Sequence, residues 1–435
     1  MQRLKDVDKS PSRFPIGFWA TGLNLDAISE DMTNDWKEAG FTLVHGPRFD
    51  HTPERAEKMK QVLNWAHERD IKVIIADSRT RAPRPSKDSN RIQQVSEDYR
   101  RAVQSAHAEY GSHPATFGYF INDEPQPTNF RATCECSKIV RDIAPDKQPF
   151  INHYPWWSTL HKDYNYLTFE EFIDDFLRMS AVRFLSYDCY QQTIPAGEPG
   201  YAWGMEMFFN SLYQYGATAR RHGIDLWNII LSTPHLEYIV PSEDIIRWQF
   251  NCTIAHGGKG VFYYTFYTPG TADFRNGPIN EFGERTEVFS WLKRTNRRFL
   301  ETYGDLFLEL ELKKASHAGC TYGSVPAFEP DDLILAVEAK NIHGNGVIKG
   351  HPFVVSRFSC PRGGQYVMVV NNSLERSARG RVILRGADLP VWSYEWPSGE
   401  RPVDPVVVKE KNHLEISTCL APGQEILYRI GVKLS

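Results

Sequence analysis

The sequence predicts an α/β protein, a (β/α)8 TIM barrel followed by a smaller all-β domain, and three observations carry that prediction. Eight short β-rich runs, at residues 15–20, 41–45, 71–76, 117–122, 149–153, 183–187, 226–232 and 260–266, recur with helical stretches between them. Their starts lie about 25 to 45 residues apart, close to the ~250 residues that eight β/α units occupy once a few loop insertions are allowed. Beyond residue 314 the pattern changes to short β-rich segments at 365–371, 381–384, 391–396, 405–408 and 425–430, separated by Gly, Pro, Asn and Ser turns, the pattern of a β-sandwich. The expected organisation is a barrel over residues 1–314 and a sandwich over 315–435. The stretch 305–314 has no flexible Gly/Ser linker, so the two parts are expected to pack together.

The helical stretches have the period an outer layer needs. In 55–69 the apolar side is Ala56, Met59, Val62, Leu63 and Ala66, and in 284–303 it is Val288, Trp291, Leu292, Phe299 and Leu300. The helix before the last barrel strand starts after Pro241-Ser242 and stops at His256-Gly257-Gly258. Gly257-Gly258-Lys259-Gly260 therefore reads as an αβ turn, and no Walker or G-x-G-x-x-G pattern precedes a helix. Cys134 and Cys136 fall on a helical stretch at 129–143, where their spacing points them to different faces, and no second pair completes a zinc site. Seven cysteines, scattered and odd in number, do not form a disulfide scaffold. Cys189 follows a strand end, but no nucleophile motif surrounds it.

The composition excludes several classes. With 435 residues, 41% hydrophobic and 24% charged, the chain has the make-up of a soluble globular protein with room for a large core. A net charge of -4 offers no electrostatic reason for a nucleic-acid or anionic-membrane partner. No apolar run approaches the ~18 residues of a transmembrane helix. The start, Met1-Gln2-Arg3-Leu4-Lys5-Asp6, has no apolar signal region, so the chain as given is expected to be soluble, whether cytoplasmic or exported with its signal removed.

The chemistry is concentrated at the strand ends. Gly118-Tyr119-Phe120-Ile121-Asn122-Asp123-Glu124-Pro125 reads as a buried strand that ends in two carboxylates and a proline. Strict alternation puts Phe120, Asn122 and Glu124 on one face, the face looking into the barrel, and Glu124 at the carboxyl end where parallel α/β proteins place their chemistry. Alternatively, Asp123 and Glu124 open the next helix at its positive end, with Pro125 in the first turn. Other strand ends supply His45 and Arg48, Asp77, Asn152 and His153 followed by Trp156 and Trp157, Tyr187-Asp188-Cys189-Tyr190, His235 with Glu237, and Tyr264 with Tyr267. Carboxylates ringed by aromatics suit a sugar, whose apolar C–H faces stack on rings and whose hydroxyls need hydrogen bonds. Asp123, Asn122, His45, Arg48, Asp77, His153, Trp156, Trp157, Tyr187, Tyr190, His235, Tyr264 and Tyr267 are accordingly the candidate substrate-binding residues.

The order of strands, the Tyr119 to Pro125 segment, the Tyr187-Asp188 strand end, the aromatic eighth strand and the β-rich C-terminal part resemble the clan A (β/α)8 glycoside hydrolases of the β-galactosidase-like kind. The resemblance covers about 300 residues and rests mainly on the Glu124 segment. It implies a glycosidase of an oligo- or polysaccharide, of retaining stereochemistry, needing no cofactor and no metal. It implies Glu124 as general acid/base and a carboxylate nucleophile at the end of the seventh strand, where Glu237 is the candidate. Before the acid/base this chain has Asp123, with the family's Asn one further back as Asn122, and Glu237 lies five residues past Ser232.

Glycosidic cleavage needs two carboxyl groups, ~5 Å apart for retention and ~6.5 to 9.5 Å apart for inversion. Asp188 rivals Glu237 as the second, because alternation puts it on the face of Phe184 and Ser186 while Leu185 and Tyr187 face away. Two other classes stand beside this one. A metal-dependent barrel hydrolase would bring His45, His153 and His235 together, although the His-x-His pair of a first metal-binding strand is missing around Phe18-Trp19-Ala20. A carbohydrate-binding barrel that has lost its nucleophile would keep the fold without the chemistry.

Overall fold

A computed structural model describes residues 12–84, 95–271, 273–341 and 346–431. Eight parallel strands form the barrel: β1 (Ile16–Phe18), β2 (Leu43–Phe49), β3 (Lys72–Asp77), β4 (Thr116–Asp123), β5 (Gln148–His153), β6 (Phe184–Asp188), β7 (Asp225–Leu231) and β8 (Gly258–Tyr264). Each coincides with one of the eight runs expected from the sequence. They pair in order from β2 to β8 and then β1, and β1 meets β2 where the Thr42 N–H donates to Ile16 O at 2.8 Å. Gly17 is required at that seam, since a Cβ there would stand 1.8 Å from Leu43 O.

Inward side chains such as Trp19, Ile74, Phe120, Phe150, Trp227 and Phe262 fill the barrel, with Phe184 and Trp227 stacked at 4.0 Å. The barrel is therefore a packed core, and its carboxyl-terminal mouth is left for a ligand. Outside it, the helix Pro53–Glu68 is capped by Thr52 and buries the five residues expected of it, Ala56, Met59, Val62, Leu63 and Ala66. In Glu287–Thr302, Val288, Leu292 and Phe299 are buried, while Trp291 and Leu300 pack partly against the same core. All seven cysteines are free, and Cys134 and Cys136 are both buried. Among the described residues no helix is long and apolar enough to cross a membrane.

From Glu311 onward the chain builds two antiparallel sheets, one of five strands and one of six. They enclose a second core that includes Val337, Phe353, Val367, Val382 and Ile416. The helix Glu243–Ala255, between β7 and β8, docks this sandwich onto the barrel. Trp248 Nε1 donates to Asn372 Oδ1 at 2.7 Å, Asn251 Nδ2 to Gly423 O at 2.9 Å, Arg247 Nε to Pro422 O at 3.0 Å and Ser356 Oγ to Ala255 O at 2.6 Å. Trp248 is fully buried, and Gly423, at φ +66, lies so close that a Cβ would stand 2.5 Å from Trp248 Cβ. Asn251 and Asn371, the first residues of two Asn-x-Ser/Thr triplets, are buried and hydrogen-bonded. Limited proteolysis is therefore expected to release no freely mobile C-terminal piece, and recovery of one as a folded fragment would contradict the docking.

Candidate active site

β4 determines the site, and it departs from strict alternation. Its register with β5 steps from Phe120↔Phe150 to Asn122↔Ile151, so Ile121 and Asn122 together face a single step of the partner strand. Such a bulge reverses the facing of everything after it. Phe120 points into the barrel and Ile121 out of it. Asn122 also turns outward, donating from Nδ2 to Thr133 Oγ1 on the helix Phe130–Ile143 at 2.9 Å, which corrects its expected place among the binding residues. Asp123 takes the inward position instead. Glu124 then adopts a left-handed φ of 45° and its N–H donates to Asn152 O at 2.9 Å. A non-glycine residue in that region is strained by about 1–3 kcal/mol, a condition that clusters at functional sites.

A second bulge lies in β2, where the register runs from His45↔Ile74 to Arg48↔Ala76. It lets His45 and Arg48, three apart, share the inward side. His45 is sandwiched below the mouth, 4.2 Å from the Trp19 ring and 4.8 Å from Phe120, and burial pushes its pKa down to about 3. Arg48 lies over Phe120 at 4.8 Å and reaches Asp123 Oδ2 at 3.2 Å.

β5 and β6 alternate regularly and complete the cluster. Asn152 Nδ2 donates to Asp188 Oδ1 at 2.7 Å and to Asp123 Oδ1 at 3.2 Å, while Ser186 Oγ donates to Asn152 Oδ1 at 3.0 Å. Burial pushes Glu124 up to about 9, helped by the charges of Asp188 and Asp123. Burial and Asp123 push Asp188 up to about 7, against hydrogen bonds from Asn152 and Tyr190 that pull it down. Asp123 is raised too, chiefly by burial, with Arg48 opposing. Glu124 therefore keeps its proton to higher pH than Asp188 does, as a general acid beside a second carboxyl group must.

Aromatics wall the cluster. Tyr190 stacks on Tyr264 at 5.2 Å, and His235 lies 5.3 Å from Tyr264 and 5.1 Å from Tyr238. Phe274, from the loop after β8, stacks on His235 at 4.7 Å. That loop is held to the one after β7 at Gly277, where a Cβ would stand 2.4 Å from Thr233 Oγ1. On the other side Tyr154 accepts from Gln126 Nε2 and meets Trp157 edge-on at 5.8 Å; the Glu124 charge acts on its phenol.

Of the expected residues, the structure gathers Arg48, Asp123, Glu124, Asp188, Tyr190, Tyr264 and His235, with Trp157 joined through Tyr154. Others serve packing. Asp77 is fully buried and taken by Arg79 at 2.7 Å and Tyr110 at 3.2 Å. His153 points outward against Phe176 at 4.2 Å, Tyr187 stacks on Tyr215 at 4.8 Å, and Tyr267 accepts from Trp36 Nε1 at 2.7 Å. Trp156 is half-buried, edge-on to Phe169 at 6.5 Å. The three histidines lie in different surroundings, and among the described residues no group of three or more His, Cys, Asp or Glu is placed to hold a metal ion.

β7 ends on the apolar Leu231, packed with Ile194 and Tyr238. Glu237 follows in the loop and is exposed; the carboxylates acting on Glu124 are Asp188 and Asp123, and Glu237 is not one of them. Asn152, Tyr154, Ser186, Tyr238 and Phe274 belong to the cluster but lie outside the expected binding set. Asn152 was marked by its inward register after Phe150 and Tyr154 by its place just past a strand end, while nothing in the sequence marked Phe274.

This barrel, with carboxylates and aromatics at its mouth and a sandwich on its flank, has the fold found in solved glycoside hydrolases. A protein described as a glycoside hydrolase aligns at 11% identity over 97% of this chain and 93% of its own, with a TM-score of 0.56. A family 5 glycoside hydrolase from Bacteroides vulgatus aligns at 12% identity over 96% and 89%, with a TM-score of 0.57. The β-galactosidase of the psychrophilic Marinomonas ef1 aligns at 12% identity and a TM-score of 0.49 over 66% of this chain, which spans 60% of that protein's length. No family model matches the chain, and no curated protein matches it.

Proposed function

We propose that the chain is a glycoside hydrolase acting on O-glycosidic bonds of an oligo- or polysaccharide with retention of configuration, its catalytic part in residues 1–314 and no catalytic residue in 315–435. One observation carries the proposal: Glu124, Asp188 and Asp123 gather at the barrel mouth inside a wall of aromatic rings, with the Glu124 carboxyl pushed up further than that of Asp188. In this reading Glu124 gives its proton to the leaving oxygen as Asp188 attacks the anomeric carbon, forming a glycosyl ester. Glu124, now a carboxylate, takes a proton from water as that water displaces Asp188. Asp188 and Asp123 are the carboxylates whose charges act on Glu124. Tyr190, Tyr264 and Trp157 offer stacking faces, and Arg48 and Asp123 offer partners for hydroxyls. The fold shared with solved glycoside hydrolases supports glycosidase chemistry in general.

Turnover of an aryl glycoside panel tests it, and activity should persist in a chelator. The rate should rise as Asp188 loses its proton, near about 7, and fall as Glu124 loses its own, near about 9, both limbs belonging to the coupled pair. An acidic optimum with loss of rate above neutrality would contradict the assignment. A second reading, a carbohydrate-binding barrel without turnover, is favoured by Leu231 at the end of β7, where the family resemblance calls for a nucleophile. Sugar binding with no hydrolysis across the panel would select it.

A further inference from the structure

The proposed chemistry needs Asp188 fixed and ionised next to a carboxyl that keeps its proton, in a mouth that also holds Asp123. Two like charges in a buried place ordinarily force one of the groups to take up a proton. Here one amide stands between them. Both carboxylates accept from the same nitrogen, Asn152 Nδ2, at 2.7 Å from Asp188 and 3.2 Å from Asp123. The amide nitrogen faces both carboxyl groups and the amide oxygen faces away from them, an arrangement that favours their acceptor-only, ionised form. On that side the Ser186 hydroxyl donates to Oδ1 at 3.0 Å. Asn152 and Ser186 are both buried, and their strands pair at this point, Asn152↔Ser186.

We infer that Asn152, anchored by Ser186, is a positioning residue that holds the Asp123 and Asp188 carboxylates ionised side by side and so leaves the site's proton on Glu124. The inference rests on the glycosidase reading for its purpose but not for its geometry. The phenols coupled to the cluster, those of Tyr154, Tyr164, Tyr187, Tyr190, Tyr215, Tyr238 and Tyr264, and the Cys189 thiol are all pushed up by burial. They stay neutral where the carboxylates titrate, leaving Arg48 from β2, paired with Asp123, Glu124 from β4, and His235 from the loop after β7, which burial holds down, as charged or ionisable partners.

The test is carboxyl titration by NMR on the full chain carrying 13C-labelled aspartate, with Asp188 and Asp123 assigned from Asp188→Asn and Asp123→Asn. Asn152→Leu keeps the volume and removes both donors, and should move the Asp188 titration upward by about one pH unit, a tenfold fall in its acid constant. Ser186→Ala removes only the anchor and should move it the same way by less, while Ser186→Thr, which keeps the hydroxyl, should restore the native titration. The acid limb of any glycosidase profile should move up in step. Unchanged titration in Ser186→Ala and Asn152→Leu, both melting as cooperatively as the native chain, would overturn the inference. A shifted titration in a protein that hydrolyses no glycoside would uphold the positioning role and remove the glycosidase reading.

Discussion

Glu124→Gln is expected to lower turnover of glycosides with poor leaving groups by about 100- to 10,000-fold, the usual worth of general acid assistance. Substrates whose leaving group departs unaided should lose much less, because for them the missing proton matters little. Unchanged turnover across both kinds would remove Glu124 from the chemistry. The same substitution should stabilise the fold, and the sign follows from linkage. Burial and the two aspartates raise the Glu124 pKa from 4.5 to about 9, so above pH 4.5 the unfolded chain has released a proton that the native chain retains. Stability is lost as pH rises through that window. Glutamine has no charge to bury, and at about pH 8 Glu124→Gln should gain about 1–2 kcal/mol after allowance for solvent screening, with no gain near pH 4.5. Glu124→Gly should add about 1 kcal/mol more, since glycine adopts φ 45° freely. Denaturant titrations at the two pH values give both numbers, and equal gains at both would mean that the carboxyl is not destabilised by its surroundings.

Asp188→Ala is expected to cost about 1,000-fold or more in turnover, the scale of losing a group that acts as a unit with its partner. It also opens a space opposite the anomeric carbon. Azide should enter that space, restore turnover of an activated aryl glycoside and leave a glycosyl azide of inverted configuration. Glu237→Ala should change turnover by less than about threefold, as expected for an exposed surface residue. If azide instead rescues Glu237→Ala, the nucleophile belongs to the loop after β7, which would have to close over the mouth. Rescue of neither variant would leave inversion by a water molecule or assistance from the substrate itself.

Much of this architecture is legible in the chain because it depends on period. The eight strands, the buried faces of the outer helices and the inward direction of Asp188 all follow from repeats of 2 and 3.6 residues. The same period gives the outward direction of Tyr187 and His153, which pack against the outer helices away from the mouth. What the period cannot carry is an inserted residue. One bulge moved Asn122 to the outer helix and Asp123 to the mouth, and nothing in the composition of that segment distinguishes a bulged strand from a regular one. The strands Ile334–Lys340, Phe353–Ser359 and His413–Leu420 were likewise outside the expected segments. Phe274 reaches His235 only because a long loop is pinned at Gly277, a tertiary event with no local signature.

The seam at Trp248 has a consequence for recombining such proteins. A barrel grafted onto another sandwich would present Arg247, Trp248 and Asn251 to a foreign loop, and a Gly423 replacement bearing any side chain would collide with the Trp248 backbone and Cβ. Shuffling libraries that cut between the barrel and the β-rich part should therefore yield soluble chimeras only when the 422–425 turn travels with the helix Glu243–Ala255.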